Sequence, residues 1–396
     1  MPNRAFVTVV TRNYLAYAKA VMAQCQRHEP DVSRYVVIAD RLPSGTAAAL
    51  GNTTIIYGDD LGIANWPRYS FQYTPFELAC ALKPHALSYL FRQHGCDALI
   101  YLDGDMGLYG PMTTVWRALE NESIVLTPHL LRPLPEDGMR PHESAFLSSG
   151  TFNAGFLGIR KSPTSDAFIQ WWQAMTDKHC YIDHAAGQFV DQKWLGIVPG
   201  LFDDVRILRH FGINAGHWTL SQADFHSRPT TGISESGLFV DQDPLLLFHF
   251  SGMTPHKPTE YLRSQNRTSL QRIPRLKSLC DDFHRTVHES GLSECTSWGS
   301  AFDVLNDGTP IHPAWREAIR RDAPLFAAIA DPFDVTSHPR LKTMYRRIEK
   351  NAYRWRLDWR LKWQKSQGMQ GVVRKCSQRL RDSLRVVRGF LRAFTP

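Results

Sequence analysis

The sequence predicts an α/β protein: a mixed sheet flanked by helices, with a mainly helical, basic extension at the C-terminal end. Three observations lead there. Runs rich in Val and Ile alternate with stretches of helical spacing through the first half, the pattern of a doubly wound sheet. A short apolar run, Ala98 to Leu102, leaves a Gly-Cys-Asp turn and reads as a buried central strand. A second such run, Leu245 to Phe248, lies far downstream and ends in His249.

Taken in order, Phe6–Thr11 is the opening strand, Asn13–Cys25 a helix, and Tyr35–Ala39 a second strand ending at Asp40. Phe76–Phe91 repeats apolar residues at three- and four-residue spacing and is a helix, which Pro84 should kink or restart at Lys83-Pro84. Ser123–Thr127 is another strand. Leu130–Ser149 holds three prolines and no clear period, and reads as a long loop suited to a mobile lid. Phe152–Ile159 is a strand in which Asn153 and Gly155 let backbone come close to a ligand. Ser165–Met175, with Trp171 and Trp172, and His184–Trp194, with Asp191-Gln192, are helices. In Gly212–Trp218, Asn214 and Trp218 are placed either to touch a sugar or to pack in the core.

The chemistry concentrates after the Ala98–Leu102 run, where Asp103-Gly104-Asp105 delivers two carboxylates one residue apart. Strand alternation alone would send them to opposite faces, and Gly104 lets the chain bend so that both reach one ion. Hard oxygen ligands suit Mg²⁺ or Mn²⁺, which commonly share their coordination sphere with phosphates. His249 is a natural third ligand, and Lys257, just beyond Gly252, can neutralise a phosphate as a point charge.

Residues 1–258 resemble a GT-A glycosyltransferase of the glycogenin and bacterial galactosyltransferase type (family 8-like). The likeness lies in an ordered set: the opening strand, Lys83 in Leu82-Lys83-Pro84, Asp103-Gly104-Asp105, Phe152-Asn153-Ala154-Gly155-Phe156, Asp191-Gln192, and His249-Phe250-Ser251-Gly252 with Lys257-Pro258 slightly displaced. The resemblance implies a Rossmann-like GT-A domain that takes a nucleoside-diphosphate sugar and a hydroxyl acceptor on a glycan or lipid-linked glycan, with retention of configuration. It puts Mn²⁺ or Mg²⁺ on Asp103, Asp105 and His249. Asp191 and Gln192 would then sit under the sugar near the anomeric carbon. Thr11 and Asp40, at the ends of the first two strands, lie where base and ribose would rest. Lys83, Asn153, Gly155, Gly252 and Lys257 complete the donor site. An inverting enzyme would instead need a carboxylate base, with Asp191 or Glu143 available.

After Pro258 the character changes. Residues 259–340 form an accessory segment, helical and polar to about 300, then Ala301-Phe302 through Ile311 with Arg316 and Arg320. Residues 341–396 form a basic tail. From Arg340 onward there are 17 Lys and Arg against three acids, a net of +14, so the rest of the chain is near −6. Val373, Cys376, Leu380, Leu384, Val387 and Leu391 make an apolar stripe among arginines, the signature of a helix lying on an anionic membrane surface. Nothing resembles a groove-reading motif, so nucleic acid is not expected. Seven cysteines with no C-x-x-C pair, no apolar leader and no run of 18 apolar residues point to reduced thiols and a cytoplasmic protein, peripheral on the membrane at most.

Two rival classes remain. A sugar-nucleotide nucleotidylyltransferase also uses carboxylates and Mg²⁺, but needs a glycine-rich phosphate loop where this chain has Thr11-Arg12-Asn13-Tyr14-Leu15. A non-catalytic membrane-recruited scaffold would have no use for an intact metal triad.

Overall fold

The computed structural model describes residues 2–46, 50–228, 233–252, 264–321 and 329–350. The first half runs β1 (Arg4–Val10), α1 (Leu15–His28), β2 (Ser33–Ile38), β3 (Thr54–Tyr57), α2 (Trp66–Phe71), α3 (Pro75–Gln93), β4 (Ala98–Leu102) and β5 (Met106–Leu108). There follow α4 (Thr113–Asn121), β6 (Ile124–Leu126), α5 (Glu143–Ser149), β7 (Phe156–Arg160), α6 (Pro163–His179), β8 (Ile182–Asp183), β9 (Gln188–Phe189), α7 (Gln192–Leu195), α8 (Val198–Leu201) and β10 (Val205–Ile207). The last part holds β11 (Phe225–Ser227), β12 (Leu238–Val240), β13 (Asp243–Pro244), β14 (Leu247–His249), α9 (Pro274–Glu289), α10 (Leu292–Ser297) and α11 (Pro313–Arg321).

Seven strands form the central sheet in the order β10-β6-β7-β4-β1-β2-β3. β4 runs parallel to β1, and β1 to β2, whereas β7 runs antiparallel to both β4 and β6. This is the mixed, helix-flanked α/β sheet that the strand pattern calls for. Alternation along β1 divides the core in two. Phe6 and Val10 pack with α1 and α9 on one face, while Ala5, Val7 and Val9 meet residues of α3 and α6 on the other. Burial on both faces explains why β4 carries no polar residue before its end.

Three expectations are corrected. α3 is one helix of 19 residues that continues through Pro84, so no new helix starts at Lys83-Pro84. A proline inside a helix costs about 3 kcal/mol, and here Leu82, Ala86, Leu87 and Leu90, all fully buried, hold the helix on the sheet regardless. The segment 184–194 is not a helix either. A 3-10 turn over His184–Ala186 and the β8–β9 hairpin come first, and α7 has only four residues. Gly187 at φ 72° and Val190 at φ 41° interrupt any helical run there. Within 130–149, the expected loop ends in a helix, α5, too short to show a period.

α9 and α10 belong to the same core as α1, and Phe250 stacks on Phe283 with centroids 3.9 Å apart. Residues from 301 onward build a smaller core of Leu305, Trp315, Ile319, Val335, Leu341 and Tyr345 around Phe71. Arg316 fastens it by donating to the carbonyls of Phe71, Tyr73 and Phe302. Among the described residues no helix is long and apolar enough to cross a membrane, and six cysteines are free and buried. The tail stripe and Lys257 lie outside the described residues.

Candidate active site

Residues from the carboxyl ends of the central strands enclose a cleft of about 690 Å³. Its floor begins at Asp103, just past β4. The backbone N–H of Asp103 donates to Gly155 O, and Met106 N closes a turn on Asp103 O at 3.2 Å. That turn, rather than a left-handed glycine, brings the second carboxylate round. Gly104 matters for another reason: a Cβ there would stand 3.0 Å from Val10 Cγ1.

The third ligand arrives through a two-stranded ribbon. β14 pairs antiparallel with β5 so that His249 lies opposite Met106, and Phe250 N donates to Asp105 O at 2.9 Å. His249 Nε2 then sits 3.1 Å from Asp105 Oδ1 and 4.0 Å from Asp103 Oδ2. One ligand atom from each of the three residues lies within 4.8 Å of the others. Burial opposes a charge on His249, but the carboxylates of Asp105 and Asp103 outweigh it and raise its pKa. Asp105 likewise is pushed up by burial, and the facing imidazole brings it below the ordinary value.

The other ring nitrogen of His249 is fixed by Asn153. Gly155 N–H, which can only donate, reaches Asn153 Oδ1 at 2.9 Å, so that end of the amide is oxygen. The same oxygen takes Asn214 Nδ2 at 3.1 Å and lies 3.2 Å from His249 Nδ1. Nδ1 is therefore the protonated nitrogen, leaving the Nε2 lone pair for a cation. The donor set thus fits the ion that the sequence suggests. Asn153 Nδ2 in turn faces His129 Nε2 at 3.0 Å, which requires a neutral His129. Burial above all, and then His217 and His249, lower its pKa to about 3. Trp218 packs edge-on against His129, His217 and His249, with centroids 5.0, 5.0 and 5.5 Å away. It is both core and cleft wall.

Lys83 projects from α3 beneath the metal ligands. Its Nζ lies 3.1 Å from Asp103 Oδ1 and 3.1 Å from Asp191 Oδ2, and donates to Ala154 O at 3.0 Å. Burial works against the ammonium, yet the two carboxylates hold its pKa well above the usual lysine value. Asp191, with its side chain 1% exposed, has its pKa raised by burial although Lys83 pulls the other way. Its pairing with Lys83 is electrostatic, without a well-aligned hydrogen bond to Oδ2. Gln192 spans the wall, accepting from Ala154 N and donating to Ser149 O, each at 3.1 Å.

Thr11 lines the cleft, its hydroxyl donating to Asn13 Oδ1 at 2.6 Å. Asp40 does not line it. Its carboxylate takes Arg12 N at 2.7 Å and Ala301 N at 2.8 Å, so it ties the accessory segment to the sheet. Gly252, at φ 78°, makes the left-handed turn after β14. Glu143 is spent on Leu134 N at 2.8 Å, outside the cleft. Three residues escaped the sequence reading. Tyr101, two residues before Asp103 on the same strand face, donates to Asp103 Oδ1 at 2.6 Å. His129 stands just past the carboxyl end of β6, a position that carries function in such sheets, and His217 adjoins Trp218.

No family model matches the chain. It is similar to two uncharacterized proteins of Bacillus subtilis (strain 168). YfnF is 24% identical over 156 residues, 39% of this chain, which thus spans half of YfnF. YfnD is 21% identical over 256 residues, 63% of this chain and 78% of YfnD. Among solved structures, it is similar to the galactosyltransferase LgtC in complex with donor and acceptor sugar analogues, at 16% identity and a TM-score of 0.39, covering 68% of this chain and 99% of that one. So distant a likeness leaves the chemistry to be read from the side chains themselves.

Proposed function

We propose that this protein is a metal-dependent glycosyltransferase that moves a sugar from a nucleoside diphosphate to a hydroxyl of a glycan or lipid-linked glycan. The observation that carries the reading is the convergence of Asp103, Asp105 and His249 Nε2 at one end of an open cleft, with the tautomer of His249 set by Asn153. Two carboxylates and an imidazole suit Mn²⁺ or Mg²⁺. When bound, such an ion stabilises the negative charge that grows on a departing diphosphate.

The chain's own groups do the positioning. Tyr101 and Lys83 hold Asp103 from behind, so its free oxygen faces the cleft. Asp191 and Gln192 wall the side that a sugar would occupy. The buried negative charge of Asp191, shared with Lys83, favours positive character developing at an anomeric carbon. Asp191 is paired with Lys83 and Glu143 is held by Leu134 N, so neither carboxylate considered as a base is free, which fits retention, in which the leaving diphosphate takes the acceptor proton. The apolar stripe from Val373 to Leu391, set among arginines, supports a membrane-bound acceptor, with that stripe resting on anionic lipid.

The test is donor hydrolysis with Mn²⁺ by Asp105→Asn. This exchange keeps the size of the side chain and removes the charge an ion needs. Turnover should be abolished while circular dichroism and the unfolding midpoint stay near wild type. A near-normal rate at saturating donor would remove the metal assignment.

A further inference from the structure

The accessory segment puts one carboxylate into the cleft from outside the central sheet. Ser300 and Ala301 are pinned on Asp40 Oδ2, at 3.3 and 2.8 Å, and Arg12 clasps the carbonyls of Trp298 and Gly299 at 2.9 and 3.0 Å. A single 3-10 turn, Ala301–Asp303, follows, with Ser300 capping Phe302 N. Phe302 packs between Trp66 and Phe333, and Asp303 O takes Ile311 N at 2.9 Å. Asp303 is therefore fixed from both sides, yet its own side chain is exposed and lines the cleft. Among the described residues none makes a hydrogen bond or ion pair to its carboxylate.

The place of this free acceptor along the cleft follows from the sheet. Ala301 is held at the end of β2, and Ala39 N bonds Val10 O at the end of β1. Asp103 ends β4, on the far side of β1. Two inter-strand spacings of about 4.8 Å set Asp103 and Asp40 roughly 10 Å apart across the strand ends, about the reach from a diphosphate to its nucleoside. We infer that Asp303 is a specificity-determining residue that accepts hydrogen bonds from N–H or O–H groups of the donor's nucleoside. In this arrangement Asp40 is a positioning residue acting through residues 300 and 301. The inference rests on the glycosyl-donor reading and deepens it: the accessory segment completes the nucleoside end of the site.

The test is calorimetric titration of the full chain with UDP, GDP, ADP and CDP in the presence of Mn²⁺, with pyrophosphate as the probe that reaches only the metal end. Asp303→Ala should weaken the preferred nucleotide by about tenfold or more, the loss expected for a hydrogen bond to a charged group, while pyrophosphate binds as in wild type. Asp303→Asn, which keeps a carbonyl acceptor, should fall between the two. Unchanged nucleotide affinity in Asp303→Ala would overturn the inference, and so would an equal loss for pyrophosphate. A wild-type chain that holds pyrophosphate but no nucleoside diphosphate overturns the donor reading itself, and this inference with it.

Discussion

The imidazole of His249 lies directly on the backbone of Gly155, so that a Cβ at that position would stand 2.7 Å from Nδ1 and press on Cε1. Glycine is needed here for close approach and not for a turn. Gly155→Ala should swing His249 off the Asp103–Asp105 pair, since crowding of this kind typically costs about 1–3 kcal/mol. The expected result is at least tenfold weaker Mn²⁺ binding by calorimetry, with a smaller fall in the unfolding midpoint. Wild-type Mn²⁺ affinity in the variant would show that the ring is not a ligand.

Lys83 neutralises two carboxylates from one buried point, and removing its charge strands both. Lys83→Met keeps the stem and deletes the ammonium. Breaking a buried pair in this way costs about 3–5 kcal/mol. Urea unfolding should place Lys83→Met at that cost, less whatever solvent returns at Asp103, which is 29% exposed. Adding Asp191→Asn should restore much of the stability and none of the turnover. A double variant no more stable than Lys83→Met would mean that Asp191 is neutral beside Lys83.

Much of the site is legible because apolar runs that stop abruptly mark strand ends. Ala98–Leu102 and Leu245–Phe248 each stop at a polar ligand, and a turn residue beside each confirms the edge. What joins them is not legible. The β5–β14 pairing links residues some 140 apart in sequence, and neither short strand has a pattern that names its partner. Side-chain direction at a strand end is equally hidden. Thr11 and Asp40 read alike, yet one faces the cleft and the other is consumed by Ala301 N. The 184–194 segment failed for a local reason. Its apolar spacing is helical, but Val190 adopts a left-handed conformation that only tertiary packing could impose. Asp303 carries no motif, and its role depends on a fold of the accessory segment that composition does not disclose.

The basic tail makes a separable prediction from sequence alone. Its stripe, Val373 to Leu391, follows every residue placed in the cleft. Deleting residues 367–396 should release the protein from anionic vesicles in a flotation assay and leave donor hydrolysis largely unchanged. Binding of the full chain should weaken steeply with salt, because exposed charges are screened over about 8–10 Å at ordinary ionic strength. Full-length protein that ignores such vesicles at low salt would rule out the lipid role.

His129 links the geometry of the site to the pH range of the fold. It must stay neutral to accept from Asn153 Nδ2, and burial foremost holds its pKa to about 3. An unfolded histidine titrates near 6.5, so between that value and about 3 the unfolded chain binds the additional proton. Stability contributed by keeping His129 neutral is thus fully present above the unfolded pKa and is lost as pH falls below it. At about 1.4 kcal/mol per pH unit, lowering pH from 7 to 5 should cost about 2 kcal/mol through this residue. His217, lowered to about 4 by burial and then by His249, adds a cost of the same sign. Urea midpoints at pH 7 and pH 5 for wild type and His129→Gln isolate the first contribution, because every other titrating group is common to both. The glutamine can still accept from Asn153 and cannot be protonated, so its midpoint should fall less between the two pH values. Equal losses in both proteins would mean that His129 takes up its proton over the same pH range folded as unfolded, and that the fold does not hold it neutral beside Asn153.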